Sequence, residues 1–175
     1  FNTKPLTLRE DFCGTFAVSC KWAKSDKNRQ AVGLDICPET LAWGIENNLG
    51  KLKAKVAERV EVLEQDVRSR TVPQVDVLAA QNFSFWCFKT RAEVVNYFKI
   101  AYENLGEKGV MVMDMMGGKE CYASDVTDKR TIIEGREGFK YHWEQAYFNP
   151  VTADCSFFIH FKFGDGSMIK KAFDY

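Results

Sequence analysis

Acidic and amide side chains follow four short apolar segments of this sequence. Glu10 and Gly14 follow the first segment, Asp35 ends the second, Asp66 follows the third and Asn82 the fourth. In an open parallel sheet, ligands bind in the crevice outside the carboxyl ends of the strands. Asp35 lies about twenty residues beyond the first turn, a spacing that suits a carboxylate accepting both ribose hydroxyls of a nucleoside. The spacing therefore predicts a site for a nucleoside-containing cofactor.

Each of these residues also has a purely structural interpretation. An acid at a strand end can cap the next helix, Gly14 can serve only a tight turn, and the aromatic cluster at 83–88 can belong to the core. A ribose-binding acid suits NAD and S-adenosylmethionine (SAM) equally. The first loop distinguishes them, because a pyrophosphate needs a Gly-x-Gly-x-x-Gly turn without nearby carboxylates. A loop with one glycine beside Glu10 and Asp11 favours a ligand that carries ammonium and sulfonium groups.

Strand patterns alternate with helical patterns through the first two thirds of the chain. Such alternation predicts an α/β fold with a Rossmann-like, mostly parallel sheet built from right-handed βαβ units. The predicted strands are 31–35, 60–66, 75–80 and 109–115, together with a first strand that leads into Glu10, and the predicted helices are 16–24, 38–49 and 91–105.

The pattern changes near the end of the chain. Three strand-like runs, 139–148, 155–163 and 168–175, are joined by turn-forming residues and predict a C-terminal antiparallel three-strand meander. We therefore expect a cofactor-binding core at 1–118, a linker at 119–138 and the meander at 139–175, all within one domain. The meander is expected to act either as a lid over the substrate site or as a sheet that forms a homodimer.

Composition excludes several classes of partner. The 175 residues include 24 Lys and Arg against 24 Asp and Glu, which argues against nucleic acid because phosphate binding requires a basic excess. No apolar run approaches the roughly 20 residues that span a bilayer. The six cysteines lack a Cys-x-x-Cys pair and neither histidine completes a zinc set, so no metal is expected. These features predict a cytoplasmic protein with reduced thiols and a small-molecule partner.

Four segments together resemble a known family: 8–15 (Leu-Arg-Glu-Asp-Phe-Cys-Gly-Thr), 31–35, 64–68 and 82–85. They are similar to the class I SAM-dependent methyltransferases, in particular to a bacterial-type branch with this first loop and with the Phe-Lys-Thr-Arg sequence found here at 88–91. The resemblance continues in order through Trp143-Glu144-Gln145 and His160-Phe161. It implies SAM as the cofactor and methyl transfer as the activity.

The resemblance also implies a role for each strand-end residue. Glu10 and Gly14 hold the methionine end and form the floor of the loop, Asp35 binds the ribose, Ile36 lies against the adenine, Asp66 and the Val67 amide contact the adenine edge, and Asn82 lies near the sulfonium and the acceptor.

The first loop departs from the family pattern of Gly-x-Gly-x-Gly. Phe12 and Phe16 occupy the outer glycine positions, and both rings are expected to narrow the cofactor cleft. The family also continues with a further helix and two strands after the meander and has helices ahead of the first strand. The chain is therefore expected to be incomplete at both ends.

The predicted activity is methyl transfer from SAM to an unidentified small molecule by in-line displacement, which depends mainly on alignment of donor and acceptor. A base is needed only for a protonated acceptor, and the candidates are His142, Tyr141 and Glu144, with His160 beside them. Histidines on strands are commonly structural. Two alternatives remain at this stage: a nicotinamide-dependent oxidoreductase, and a non-catalytic SAM-binding or scaffold protein, suggested by Phe12 and Phe16.

Overall fold

A computed structural model describes residues 4–134 and 137–174. The chain divides into two compact units, and the boundary between them in the sequence lies between Met115 and Met116. The first unit holds a five-stranded parallel sheet and the second a four-stranded antiparallel sheet. The predicted combination of a Rossmann-like parallel sheet with a C-terminal antiparallel sheet is thereby confirmed. Within the described residues, none of the helices is long and apolar enough to cross a membrane.

The parallel sheet has the strand order β3-β2-β1-β4-β5. Its strands are β1 (Thr7–Asp11), β2 (Gln30–Asp35), β3 (Val60–Glu64), β4 (Val75–Ala80) and β5 (Leu105–Met113). Because β1 pairs with both β2 and β4, the strand order reverses at β1. The carboxyl ends of β1 and its two neighbours therefore form the crevice in which sheets of this kind bind ligands.

Four helices alternate with these strands among the described residues: α1 (Ala17–Ser25), α2 (Pro38–Asn47), the single turn α3 (Ala54–Ala57) and α4 (Arg91–Glu103). Local sequence explains where the long ones begin. Pro38 occupies the first turn of α2, where its missing N–H costs nothing. Thr90 and Glu93 form a capping box at the start of α4, with a Thr90 N–H to Glu93 Oε2 distance of 3.0 Å.

The antiparallel sheet contains four strands in the order β6-β7-β8-β9, one more than expected. They are β6 (Val126–Glu134), β7 (Glu137–Phe148), β8 (Cys155–Phe163) and β9 (Met168–Asp174). The additional strand, β6, comes from the segment 119–138 that was expected to be a linker. It is an edge strand, and edge strands tolerate a polar sequence such as Thr-Asp-Lys-Arg-Thr because one side of the backbone faces no neighbour.

The two faces of the antiparallel sheet differ in chemistry. Residues that pair directly across strands share a face, so the pairs Tyr141–Phe161 and Trp143–Ile159 define an aromatic face. On that face the Trp143 ring stacks against Phe157 with centroids 5.1 Å apart. The opposite face carries His142, which pairs with His160, together with several lysines.

Candidate functional site

A cleft of about 250 Å³ lies at the carboxyl ends of β2 and β3. Four of the seven residues predicted to bind a cofactor line it: Asp35, Ile36, Asp66 and Val67. The structure thus brings together side chains that are separated by about thirty residues of sequence. Ile36 is 71% exposed, so the cleft offers an apolar side chain that a planar ligand could cover.

Asp35 links the cleft to the first loop. Its Oδ2 accepts the Gly14 N–H at 2.7 Å and its Oδ1 accepts the Cys37 N–H at 3.0 Å. An ionised carboxylate has about four acceptor positions, so these two bonds fix its orientation and leave capacity for two further donors. Gly14 has a positive φ of 53°, a conformation that suits glycine and turns its N–H to the carboxylate.

Glu10 is buried near the end of β1, and its hydrogen-bond partner, Ser19, was not predicted from the sequence. Its Oε2 accepts the N–H of Ser19 at 2.7 Å and the Ser19 hydroxyl at 2.5 Å, so it caps the first turn of α1. No described residue donates to Oε1. Burial raises the pKa of Glu10, the Ser19 bonds oppose that rise, and the charge of Asp35 adds to it. Two carboxylates therefore lie close together beside the first loop.

Replacing Glu10 with glutamine is expected to change the pH dependence of stability. An acid whose pKa is higher in the folded than in the unfolded state binds a proton on folding, so its contribution is full below the unfolded pKa and declines as pH rises through the folded pKa. We therefore expect Glu10→Gln to become more stable relative to the original protein as pH rises from about 4.5, the pKa of Glu10 in the unfolded chain, towards neutrality. Urea unfolding over this range measures it.

A matched control for this prediction is Glu61→Gln, because Glu61 is exposed on β3. Its stability relative to the original protein should stay level over the same pH range. If the difference in free energy of unfolding between Glu10→Gln and the original protein also stays constant with pH, the pKa of Glu10 is not raised in the folded protein.

Asp66 is held by Arg68 at the side of the cleft. The guanidinium binds both carboxylate oxygens, with Nε–Oδ1 at 2.9 Å and Nη2–Oδ2 at 2.6 Å, and this pairing lowers the pKa of Asp66. The same guanidinium lies 4.9 Å from the centre of the Phe88 ring, close enough for a cation–π contact. Arg68 and Phe88 both line the cleft. Asp66 is thus ionised and held in one orientation. Arg68, which orients it, was not among the site residues predicted from the sequence.

A buried arginine holds the loop that carries Asp66 and Val67. Arg9 on β1 is fully buried, and its Nε lies 2.7 Å from Oδ1 of Asp11. Its other nitrogens donate to the Val67 carbonyl at 2.5 Å and to the Ser69 carbonyl at 2.8 Å. Asn104 binds the same loop from beyond α4, accepting the Thr71 N–H at 2.7 Å. These bonds hold the loop 66–71, whose first three residues line the cleft, from the interior of the sheet.

The two phenylalanines of the first loop have different positions. Phe12 lines the cleft and packs against Phe88 and Tyr97, with ring centroids 6.0 and 5.7 Å away. Phe16 does not line the cleft, so the expectation that both rings narrow it is wrong for Phe16. Phe16 is instead fully buried in the core around Leu41. A Cβ at Gly44 would lie 2.6 Å from its ring, so the core accommodates Phe16 through a glycine on α2.

Both phenylalanines adopt the left-handed backbone conformation that favours glycine, with φ of 55° at Phe12 and 44° at Phe16. This conformation costs a residue with a Cβ roughly 1–2 kcal/mol. Phe12→Gly is therefore expected to be more stable than Phe12→Ala by about 1 kcal/mol, because both lose the ring and only glycine loses the strain. Urea denaturation of the two variants measures the difference. Equal stabilities would show that position 12 carries no backbone strain.

Asn82 follows β4 and is exposed. It and Phe83 both adopt left-handed backbone conformations, with φ of 58° and 43°. The Phe83 N–H donates to Asp114 Oδ1 at 2.9 Å, which fixes this turn to the residue that follows β5. Asn82 is not among the residues that line the cleft. Its predicted position near the sulfonium remains a prediction.

The candidate bases lie on β7 in the second unit. His142 and Glu144 share one face of the sheet, and Tyr141 lies on the other. Glu144 Oε2 is 2.7 Å from His160 Nε2, and His160 Nδ1 accepts the Lys171 N–H at 3.2 Å. The Lys171 bond assigns the His160 proton to Nε2, so His160 donates to Glu144. Burial and neighbouring lysines lower the pKa of His142, which favours its neutral form.

The fold is that of the SAM-dependent methyltransferases of known structure. No protein-family model matches the chain, and no curated protein matches its sequence. Three similar solved structures are SAM-bound CalS10, an amino pentose methyltransferase from Micromonospora echinaspora (16% identity, TM-score 0.70), a SAM-dependent methyltransferase from Clostridium acetobutylicum (19%, 0.67) and the sugar N-methyltransferase KedS8 from a Streptoalloteichus species (15%, 0.65).

These likenesses extend over almost the whole of this chain. They cover 98%, 99% and 97% of it, and 67%, 66% and 65% of the respective solved chains. The chain thus spans about two thirds of the length of the structures that it matches. At identities of this size the likeness establishes the fold, whereas activity must be argued from the site.

Proposed function

We propose that this chain is a SAM-dependent methyltransferase that transfers a methyl group to a small molecule. The observation that carries the proposal is the cleft, where Asp35, Ile36, Asp66 and Val67 meet beside the loop that follows β1. The structural likeness to CalS10, whose structure holds SAM, supports the same cofactor for this chain.

The chemistry of the cleft fits SAM. Asp35 is oriented by two backbone amides and keeps acceptor capacity for the ribose hydroxyls. Ile36 offers an apolar surface to the adenine, and no described residue accepts from the Val67 N–H, which can donate to the adenine edge. Glu10 is not among the residues that line the cleft, but its Oε1 has no donor among the described residues and is proposed to accept from the ammonium group of the methionine part.

The protein's share of the reaction is positioning. When bound, SAM would supply a methyl group on a sulfonium, a good leaving group for an in-line displacement. Asp35 would hold the ribose and Glu10 the methionine part of SAM, and the Arg9 bonds keep the cleft wall at Val67 in place. Alignment of this kind can contribute roughly 7–11 kcal/mol to the lowering of a barrier. The first unit therefore needs no nucleophile of its own.

The acceptor is proposed to be a small molecule, because the charge is balanced and two of the similar structures are amino pentose and sugar N-methyltransferases. An acceptor amine would have to be deprotonated before methylation. His142, whose pKa is lowered, is available as a neutral base on β7. Glu144 and Tyr141 remain the other candidates.

The first turn of α1 disfavours the alternative of a nicotinamide-dependent oxidoreductase. In such enzymes the pyrophosphate binds the free N–H groups at the start of this helix. Here Glu10 occupies the Ser19 N–H, so a pyrophosphate would have to displace a carboxylate and face its charge. A non-catalytic SAM-binding protein would share every feature of the cleft, and only a methyl-transfer assay separates it from the enzyme.

Calorimetric titration with S-adenosylhomocysteine (SAH), the demethylated product, tests the proposal. We expect saturable one-to-one binding of SAH and no binding of NAD. Binding of NAD in preference to SAH would contradict it. If SAH binds but no member of a panel of sugar amines is methylated from labelled SAM, the non-catalytic alternative is favoured.

A further inference from the structure

Basic side chains are concentrated on the polar face of the antiparallel sheet. Lys140 on β7 pairs directly with Lys162 on β8, and Thr131 on β6 pairs with Lys140. Lys129 and His142 form the next row of the same face, because alternate residues of a strand point to the same side. β7 and β8 are the central strands of the sheet, so Lys140 and Lys162 do not protect an exposed edge from pairing.

The lysines of this face lack carboxylate partners. Like charges directly opposite each other on neighbouring strands are destabilising. Among the side chains that the structure describes, which exclude those of residues 134–137, no carboxylate forms an ion pair with Lys129, Lys140 or Lys162. Glu144 lies on the same face but is bonded to His160. The cluster therefore carries positive charge that the described part of the chain does not neutralise.

A cavity adjoins the two opposed lysines. Its volume is about 380 Å³, and Thr131, Lys140 and Lys162 are among the residues that line it. The rest of the wall is formed by Phe139, Phe163 and three glycines, and a Cβ added at Gly164 or Gly166 would meet no atom within 4 Å. The space is therefore open to a ligand, and its size falls within the range of about 300–1,000 Å³ typical of small-molecule sites.

We propose that this cavity binds the phosphate group of a small molecule, with Lys140 and Lys162 as the main cationic ligands, Thr131 as a hydroxyl donor and Lys129 as a flanking charge. A phosphate monoester carries a charge of about −1.5 to −2 near neutrality. A ligand with a phosphate group therefore balances the charge of three lysines better than a ligand with one carboxylate group. The site shares no residue with the cleft that is proposed for SAM, so it stands whether or not that cofactor binds.

The electrostatics at His142 support this site and provide a probe for it. Burial lowers the pKa of His142, and repulsion from Lys129, His160, Lys162 and Lys140 lowers it further. A bound dianion would oppose that repulsion and raise the pKa. The chain contains only two histidines, so each imidazole can be assigned in an NMR spectrum by a single His142→Gln variant.

The test is an NMR titration of the imidazole resonances with glucose 6-phosphate, inorganic phosphate and, as the uncharged control, glucose. Both phosphate compounds are expected to raise the pKa of His142 in a saturable way, and glucose is not. Tighter binding of the ester would identify an organic phosphate as the ligand, and equal binding would identify free phosphate. In Lys140→Ala/Lys162→Ala the affinity should fall about tenfold or more, because two of three cations are lost.

A matched double variant is Lys53→Ala/Lys55→Ala, which removes two exposed lysines from the first unit and should leave phosphate binding unchanged. Without any ligand, the pKa of His142 should be higher in Lys140→Ala/Lys162→Ala than in the original protein, because two of the repelling charges are removed. This shift verifies that the variant is folded with His142 beside positions 140 and 162. The proposal is overturned if neither phosphate compound shifts His142, or if both double variants bind with the original affinity.

Discussion

Replacing Arg9 with methionine is expected to lower the free energy of unfolding by about 3–5 kcal/mol, the usual cost of removing one partner of a buried ion pair. Methionine is long enough to fill much of the space, so the loss arises from charge and hydrogen bonds. Among the described side chains, only the Tyr97 hydroxyl, at 3.0 Å, would still donate to the Asp11 carboxylate. Burial already raises the pKa of Asp11, and the Arg9 charge now opposes that rise. The Val67 and Ser69 carbonyls would also lose a donor.

Urea unfolding of Arg9→Met at neutral pH measures this loss, and Arg130→Met is the control. Arg130 forms an exposed pair with Asp128 at 2.7 Å, and pairs of that kind contribute about 0–1 kcal/mol. Because a domain of this size has only about 5–15 kcal/mol of stability, Arg9→Met can be partly unfolded at room temperature. Tyr97→Phe, which removes only the hydroxyl to Asp11, is the milder variant, with an expected loss of about 1–3 kcal/mol. Equal effects of Arg9→Met and Arg130→Met would contradict the role given to Arg9.

Replacing Asp35 with asparagine is expected to weaken SAH binding by about 100-fold or more. Hydrogen bonds from ribose hydroxyls to an ionised carboxylate contribute roughly 1.5–3 kcal/mol each, and two of them correspond to at least this factor. Asparagine keeps the shape but presents an NH₂ group where a carboxylate oxygen now accepts from Gly14 or Cys37. The variant therefore loses both the charge and the orientation of the acceptor. Calorimetry with SAH measures the affinity.

Glu64→Gln is the matched control for Asp35→Asn. Glu64 ends β3 directly opposite Asp35 in the sheet, is exposed, and does not line the cleft. It should bind SAH with unchanged affinity, so any general effect of removing a carboxylate from this edge is subtracted. Near-ultraviolet circular dichroism of both variants verifies that they are folded. If Asp35→Asn binds SAH as tightly as Glu64→Gln, the proposed ribose site is wrong.

Local pattern was sufficient for most of the first unit. The strand predicted for 75–80 coincides with β4, and the helix predicted for 91–105 coincides with α4 to within two residues because its capping box is local. The antiparallel sheet was harder. The polar segment containing β6 was expected to be a linker, since its strand conformation depends on backbone pairing with β7 rather than on its own side chains.

The sequence by itself determined which residues stand at the carboxyl ends of the strands, because the order of elements places Asp35 and Asp66 there. Only the tertiary structure decided their partners. Glu10 caps a helix nine residues later, Arg68 holds Asp66, and Phe16 turns into the core while Phe12 lines the cleft. The physical reason is that these outcomes depend on backbone direction at the loop and on space such as that above Gly44, which arises only when distant segments pack together.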